Sequence, residues 1–138
     1  MKRDHPRPAH QGRRRRGDAL RGGQHIECVG LRISQGGSTL VYAADTRPCQ
    51  NVVEYARGAD LLVHEAYGTH DDAKQAHLFG HSTAAEAGRS AREAGVGRLI
   101  LTHLRASRFA DPDALATEAA SVFWGRIEVA NDLDAFGF

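Results

Sequence analysis

Cysteine is scarce in this sequence of 138 residues: Cys28 and Cys49 are the only two, too few for a disulfide framework. Reduced thiols in a cytoplasmic protein are the simpler expectation. No apolar run approaches the roughly 20 residues that span a bilayer, and no signal-peptide pattern opens the chain, so no membrane partner is expected. Internal repeats are missing too. What is present suits one globular domain with its own core: the length is sufficient and the hydrophobic content is 41%.

A formal net charge of +1 conceals an uneven distribution. Residues 1–24 carry Lys2, Arg3, Arg7, Arg13, Arg14, Arg15, Arg16 and Arg21 against Asp4 and Asp18, a balance of +6, which leaves −5 for the remainder. This stretch has almost nothing large and apolar, so burial cannot offset the entropy of ordering it. It is expected to be a basic, disordered arm over residues 1–24. An arginine run is either a phosphate-backbone ligand, which would make the chain an RNA-binding protein, or a solvated segment.

From residue 25 to 138 the pattern alternates. "IECVGLRI" and "TLVYAA" read as strands joined through "SQGGS", a hairpin. "NVVEYARG" reads as a short helix with Asn51 as candidate N-cap. "DLLVHEA" and "RLILTHL" are continuous apolar runs, the pattern of strands covered on both faces. A polar, histidine-bearing loop is expected from Gly68 to Gly80. "STAAEAGRSAREAG" has capping-box spacing at Thr83 and Glu86 and a stop at Gly95. "DPDALATEAASVFW" begins with Asp111 as N-cap and Pro112 in the first turn, and "RIEVAND" is a final strand. Strands alternating with helices through short links predict an α/β layer with parallel pairing.

Three of these strands end on residues able to bind metal or move protons: Asp45, the pair His64 and Glu65, and His103. Carboxyl ends of parallel strands are where sites assemble. His81, before a helix, and His25, before the first strand, are candidates for the same edge. Each alone has an ordinary alternative: Asp45 as a turn former, a histidine as hydrogen-bonded packing, "GHST" as a helix entry. Repetition at several strand ends favours a site. His5, His10, His70 and His77 are expected to be solvent-exposed.

The segments "YAADTRPCQNVVEYARGADLLVHEAY", "GHSTAAEAG" and "AGVGRLILTHL", in that order, resemble the carboxyl-terminal half of metallo-β-lactamase-fold hydrolases of the ribonuclease Z type. "HIECVGLRI" resembles the family segment in which a His precedes a Gly-containing strand. Ala44 stands where the family commonly has Gly, and Tyr67 where it commonly has Thr. The resemblance implies half of an αββα sandwich, over residues 25–138, with a mixed sheet and helices on one face. It implies a two-metal site, usually zinc, with Asp45 bridging the ions and His103 and His25 as further ligands. Neutral imidazoles and a two-oxygen carboxylate suit zinc, and a close metal pair suits phosphodiester displacement. His81 matches the histidine that assists the leaving group, with Glu65 orienting it, so His81 and Glu65 are the expected catalytic pair.

The family's His-x-His-x-Asp-His motif has no counterpart in the sequence, and neither does the long tRNA-gripping insertion between the His25-like and Asp45-like segments. The expectation is therefore a phosphodiesterase related to tRNA 3′-processing endonucleases, shortened to half its site and inactive alone. The phosphodiester substrate could be RNA. A complementing amino-terminal half or a second copy of the chain is the expected partner, meeting a sheet face formed by residues such as Leu61, Val63, Leu99 and Leu101. The alternative is a non-catalytic interaction module that pairs through that same face.

Overall fold

The structure is a computed structural model that describes residues 30–105 and 111–138. The expected arm over residues 1–24 and the candidate ligand His25 lie outside the described residues.

Strands β1 (Leu31–Gln35) and β2 (Ser38–Ala43) form the expected hairpin. Its two-residue turn puts Gly36 at φ 61° and Gly37 at φ 91°, values that only glycine adopts freely and that match strand twist. Helix α1 (Gln50–Ala56) follows, then β3 (Leu61–Glu65). A single 3-10 turn (His70–Asp72) leads into α2 (Ala73–Phe79), then α3 (Ala84–Ala94) and β4 (Arg98–Thr102). The chain ends with α4 (Pro112–Ala120) and β5 (Arg126–Val129). The strands lie in the order β1-β2-β3-β4-β5; the first pair is antiparallel and the rest are parallel. This is the expected mixed α/β sheet. No described helix is long and apolar enough to cross a membrane.

Two helix boundaries follow the sequence signals closely. Thr83 and Glu86 exchange capping-box hydrogen bonds, and Gly95 closes α3 in the left-handed conformation. Asp111 caps α4 ahead of Pro112. At α1 the N-cap is Cys49 with no side-chain bond, not Asn51. The segment expected to be a loop from Gly68 to Gly80 instead contains the 3-10 turn, which opens on a Thr69–Asp72 capping box, and α2, which ends at Gly80 with φ 82°. Its polar composition hides the helix, because the only buried residue is Ala76.

Pairing parity separates two faces. Val41, Ala43, Leu62, Leu99 and Leu101 face the helical layer and form its core with Val52, Val53, Ala87, Ala91, Leu115 and Phe123. Helices α3 and α4 approach closely at Gly88, where an added Cβ would lie 2.9 Å from the Ala119 carbonyl oxygen. The opposite face carries Leu31, Ile33, Leu40, Tyr42, Leu61, Val63 and Ile100 in register. Leu61 and Ile100 are buried, while Leu31, Ile33 and Tyr42 are exposed at 49%, 47% and 38%. The expectation that Leu99 and Leu101 share this face with Leu61 and Val63 does not hold. Strand residues alternate sides, and the pairing of Leu62 with Leu99 sends Leu99 to the helices.

Candidate metal and proton-transfer site

The parallel strands bring their carboxyl ends to one edge, and the candidate residues gather there. Asp45 lies two residues past β2, Glu65 closes β3, and His103 directly follows β4. Asp45 has φ 56° and His103 has φ 52°. Leu133 is the other described non-glycine residue with positive φ; Asp and His visit this region more readily than most residues, and such residues cluster at functional sites. Both side chains remain open to solvent, 61% exposed at Asp45 and 46% at His103. The Nε2 of His103 lies 3.1 Å from the Oδ1 of Asp45.

His81 enters from the loop between α2 and α3. Its Nδ1 lies 3.0 Å from the Oε2 of Glu65 and 3.5 Å from the Oδ1 of Asp45. The rings of His81 and His103 have centroids 5.4 Å apart. Glu65 is fully buried. It accepts hydrogen bonds from the backbone N–H of Thr46 and, at 3.2 Å, of Ser82. The Ser82 hydroxyl donates to the Thr46 carbonyl at 2.7 Å. One carboxylate thus ties the Asp45 loop to the His81 loop. Burial raises its pKa above the ordinary value, opposed by the Ser82 N–H, the His81 imidazole and the Thr46 N–H.

His64, adjacent in sequence, does not join the site. Its register with Ala43 and Leu101 turns it toward the helices, where its Nδ1–H donates to the Glu65 carbonyl at 2.8 Å. Its Nε2 is buried and has no hydrogen-bond partner. Burial lowers its pKa below the ordinary histidine value, partly offset by the Glu65 carbonyl and the charge of Glu86. The unfolded chain therefore takes up this proton first. Stability is full above about pH 6.5 and falls as pH drops from there toward the lowered native value, by at most about 1.4 kcal/mol per pH unit. Between pH 7 and 5.5 the urea midpoint of the unaltered chain is expected to fall relative to that of His64→Leu, which lacks this proton uptake and keeps the opposing contribution of Glu65. An equally steep fall in the variant would assign it elsewhere.

His70 and His77 are exposed as expected, and the Nε2 of His77 contacts the Oε1 of Glu86 at 2.7 Å. The donor atoms of Asp45, His81 and His103 all lie within 4.8 Å of one another. A carboxylate oxygen and imidazole nitrogens suit a divalent, borderline ion, so this edge fits a metal. Asp45 and His103 are free to serve as ligands, whereas the Nδ1 of His81 faces the carboxylate of Glu65. Sequence reasoning overlooked Tyr67 as a site residue. Its ring stacks on His81 with centroids 5.0 Å apart and planes inclined by 12°.

Residues 5–104 match the model of the β-lactamase superfamily domain, a match that begins inside the basic segment. Ribonuclease Z from Myxococcus xanthus is 49% identical over 102 residues, covering 74% of this chain and 33% of that protein. The metallo-β-lactamase fold protein YhfI from Bacillus subtilis superposes with a TM-score of 0.70 at 38% identity, over 77% of this chain and 42% of that one. Human tRNase Z, short form, gives a TM-score of 0.58 at 23% identity over 79% of this chain and 38% of that one, a likeness in fold. The chain spans about a third of the length of ribonuclease Z from Myxococcus xanthus or Haloferax volcanii.

Proposed function

This chain belongs to the metallo-β-lactamase-fold superfamily, on its ribonuclease Z-like branch, and from that membership we propose that it carries the proton-transfer half of a phosphodiesterase site acting on RNA. The carrying observation is that the His81–Glu65 pair lies against the Asp45–His103 pair at one strand edge. Asp45 and His103 would hold the metal, with zinc the ion the donor set suits best and His25 as a further ligand. When bound, a metal ion there supplies Lewis-acid activation of water and of the phosphoryl group.

The chain's own residues do the rest. Glu65 fixes His81 with its Nδ1 proton directed at the carboxylate. Among the described residues the Nε2 of His81 has no hydrogen-bond partner, so a proton on that atom is available to the oxygen leaving phosphorus. Solvent restores the proton after product departs. Glu65 remains a carboxylate throughout, stabilising the doubly protonated imidazole as a buried acid does in other orienting pairs.

This reading takes the remaining ligands and the water-positioning residue from a complementing amino-terminal half, in keeping with the 33% of ribonuclease Z from Myxococcus xanthus that the match covers. The test supplies that half from a ribonuclease Z and measures hydrolysis of a bis-aryl phosphate and of an RNA 3′ trailer. We expect no turnover from the chain alone and turnover from the pair. In the pair, His81→Ala should keep its metal and lose about 10²–10⁴-fold in kcat, the usual contribution of a positioned acid. Full turnover by His81→Ala on a poor leaving group would remove His81 from the mechanism.

The open sheet face favours a second reading, an interaction module. Leu61 and Ile100 are covered on this face, but Leu31, Ile33 and Tyr42 beside them are exposed on the β1–β2 hairpin, and exposed apolar side chains grouped in this way mark an interface. The chain alone is expected to self-associate or to bind an apolar dye, and Ile33→Glu to reduce both. A monomer at all concentrations with no dye binding would contradict this reading.

A further inference from the structure

We propose that Tyr67 is the positioning residue for His81, a role that rests on reading His81 as the proton carrier. Glu65 alone cannot fix the imidazole. The contacts to Glu65 and the longer one to Asp45 all fall on Nδ1, which leaves the ring free to swing about that atom, carrying Nε2 through an arc. A second restraint on the ring plane removes this freedom, and the stacked Tyr67 ring, 5.0 Å away and inclined by 12°, supplies it.

The backbone explains why these two rings meet. The N–H of Tyr67 donates to the Ser82 carbonyl at 2.8 Å, and that of Ala84 to the Gly68 carbonyl at 2.9 Å. Gly68 and Thr83 form a parallel bridge. The segment leaving β3 is thus zipped to the segment entering α3, which sets residues 67 and 81 side by side. Tyr67 is itself held. The N–H of Arg105 donates to the Tyr67 carbonyl at 3.2 Å, and the Arg105 guanidinium lies over the Tyr67 ring, 5.5 Å from its centroid. The same guanidinium donates to the Oε1 of Gln75 at 2.7 Å and lies 3.7 Å from Asp72. A chain of contacts therefore runs from α2 through Arg105 and Tyr67 to the ring of His81. A threonine at position 67 has no face to stack and could not make it.

The test needs no turnover. In proton–carbon correlation spectra of the full chain, with His81 assigned by its loss in His81→Gln, the His81 ring protons should lie upfield through the ring current of Tyr67. Tyr67→Phe keeps the face and should keep the shift. Tyr67→Leu should move the signals downfield and speed diethyl pyrocarbonate modification of His81 roughly two- to tenfold, the range an aromatic pair contributes. Arg105→Ala should shift both readouts less, in the same direction. Unshifted His81 protons in the unaltered chain overturn the proposal without any variant, so a Tyr67→Leu chain that failed to fold would not shelter it. Tyr67→Phe behaving like Tyr67→Leu would overturn it as well. A shifted, Tyr67-protected His81 in a protein that is inactive even when paired would sink the hydrolase reading and leave Tyr67 as the residue that fixes the His81 ring, without a proton transfer for it to serve.

Discussion

Replacing Asp45 with asparagine is expected to abolish metal retention while leaving the fold intact. The Oδ1 of Asp45 is the point where the site converges, 3.1 Å from the Nε2 of His103 and 3.5 Å from the Nδ1 of His81. Asparagine is close in size and tolerates the left-handed backbone at φ 56°, but it brings no negative charge and only one oxygen. Loss of an outer partner to a ligand typically costs about 10–100-fold in metal affinity, so loss of the carboxylate ligand itself should exceed that. In the protein paired with an amino-terminal half, hydrolysis should fall to background, a larger loss than that of His81→Ala. Elemental analysis after dialysis, with zinc titration of both variants, separates them: Asp45→Asn loses metal and His81→Ala does not. Equal metal content in Asp45→Asn and the unaltered chain would show that Asp45 only shapes the turn. Asp45→Ala is the poorer probe, because alanine at a left-handed position costs about 1–2 kcal/mol of its own.

Much of this site was legible because it sits where regular elements end. The apolar runs before Asp45, Glu65 and His103 are parallel strands side by side, so reading each run to its last residue located the edge. Capping chemistry did the same for His81, which precedes the Thr83 cap of α3. Orientation was harder to read. His64 and Glu65 are consecutive, and a continuous apolar run carries no alternation to say which side faces what, so the run itself could not divide them and only the family resemblance singled out Glu65. Pairing divides them, sending His64 to the helices and leaving Glu65 among the loops. The same ambiguity misplaced Leu99 and Leu101. Helix α2 escaped notice because it buries only Ala76 and so shows no apolar stripe. Tyr67 was visible as a departure from the family pattern, yet its stacking on His81 depends on the zipper between residues 67–68 and 82–84, which no local pattern announces.

Glu65→Ala is expected to be the most damaging single change at the site, acting on stability and proton transfer together. The carboxylate is fully buried and is the acceptor for the N–H groups of Thr46 and Ser82 and for His81. Alanine leaves two amides without that acceptor, at about 1–3 kcal/mol each, and opens a void between the two loops. A loss of about 2–6 kcal/mol follows from the amides alone, against a total of roughly 5–15 kcal/mol for an ordinary domain. Glu65→Gln separates the structural role from the charge. Its amide oxygen still accepts from one N–H, but its NH₂ group must face the other donor or His81. A donor opposite Nδ1 turns His81 to the tautomer protonated at Nε2, a neutral and therefore weak acid, so turnover should fall although the ring stays in place. The direction of the Glu65 pKa adds a second contrast. Because burial raises it, the folded protein holds this proton more tightly than the unfolded chain. That contribution is fully present below the unfolded carboxyl pKa of about 4.3 and is lost as pH rises through the raised native value. Above that raised value the buried charge costs stability, and glutamine escapes that cost. Urea denaturation of the three proteins at pH 5 and pH 8 should rank Glu65→Gln well above Glu65→Ala, with the smallest gap between Glu65→Gln and the unaltered chain at the higher pH. Glu65→Gln as unstable as Glu65→Ala would mean that the full acceptor capacity of the carboxylate outweighs its desolvation, and that the two loops are joined by its charge.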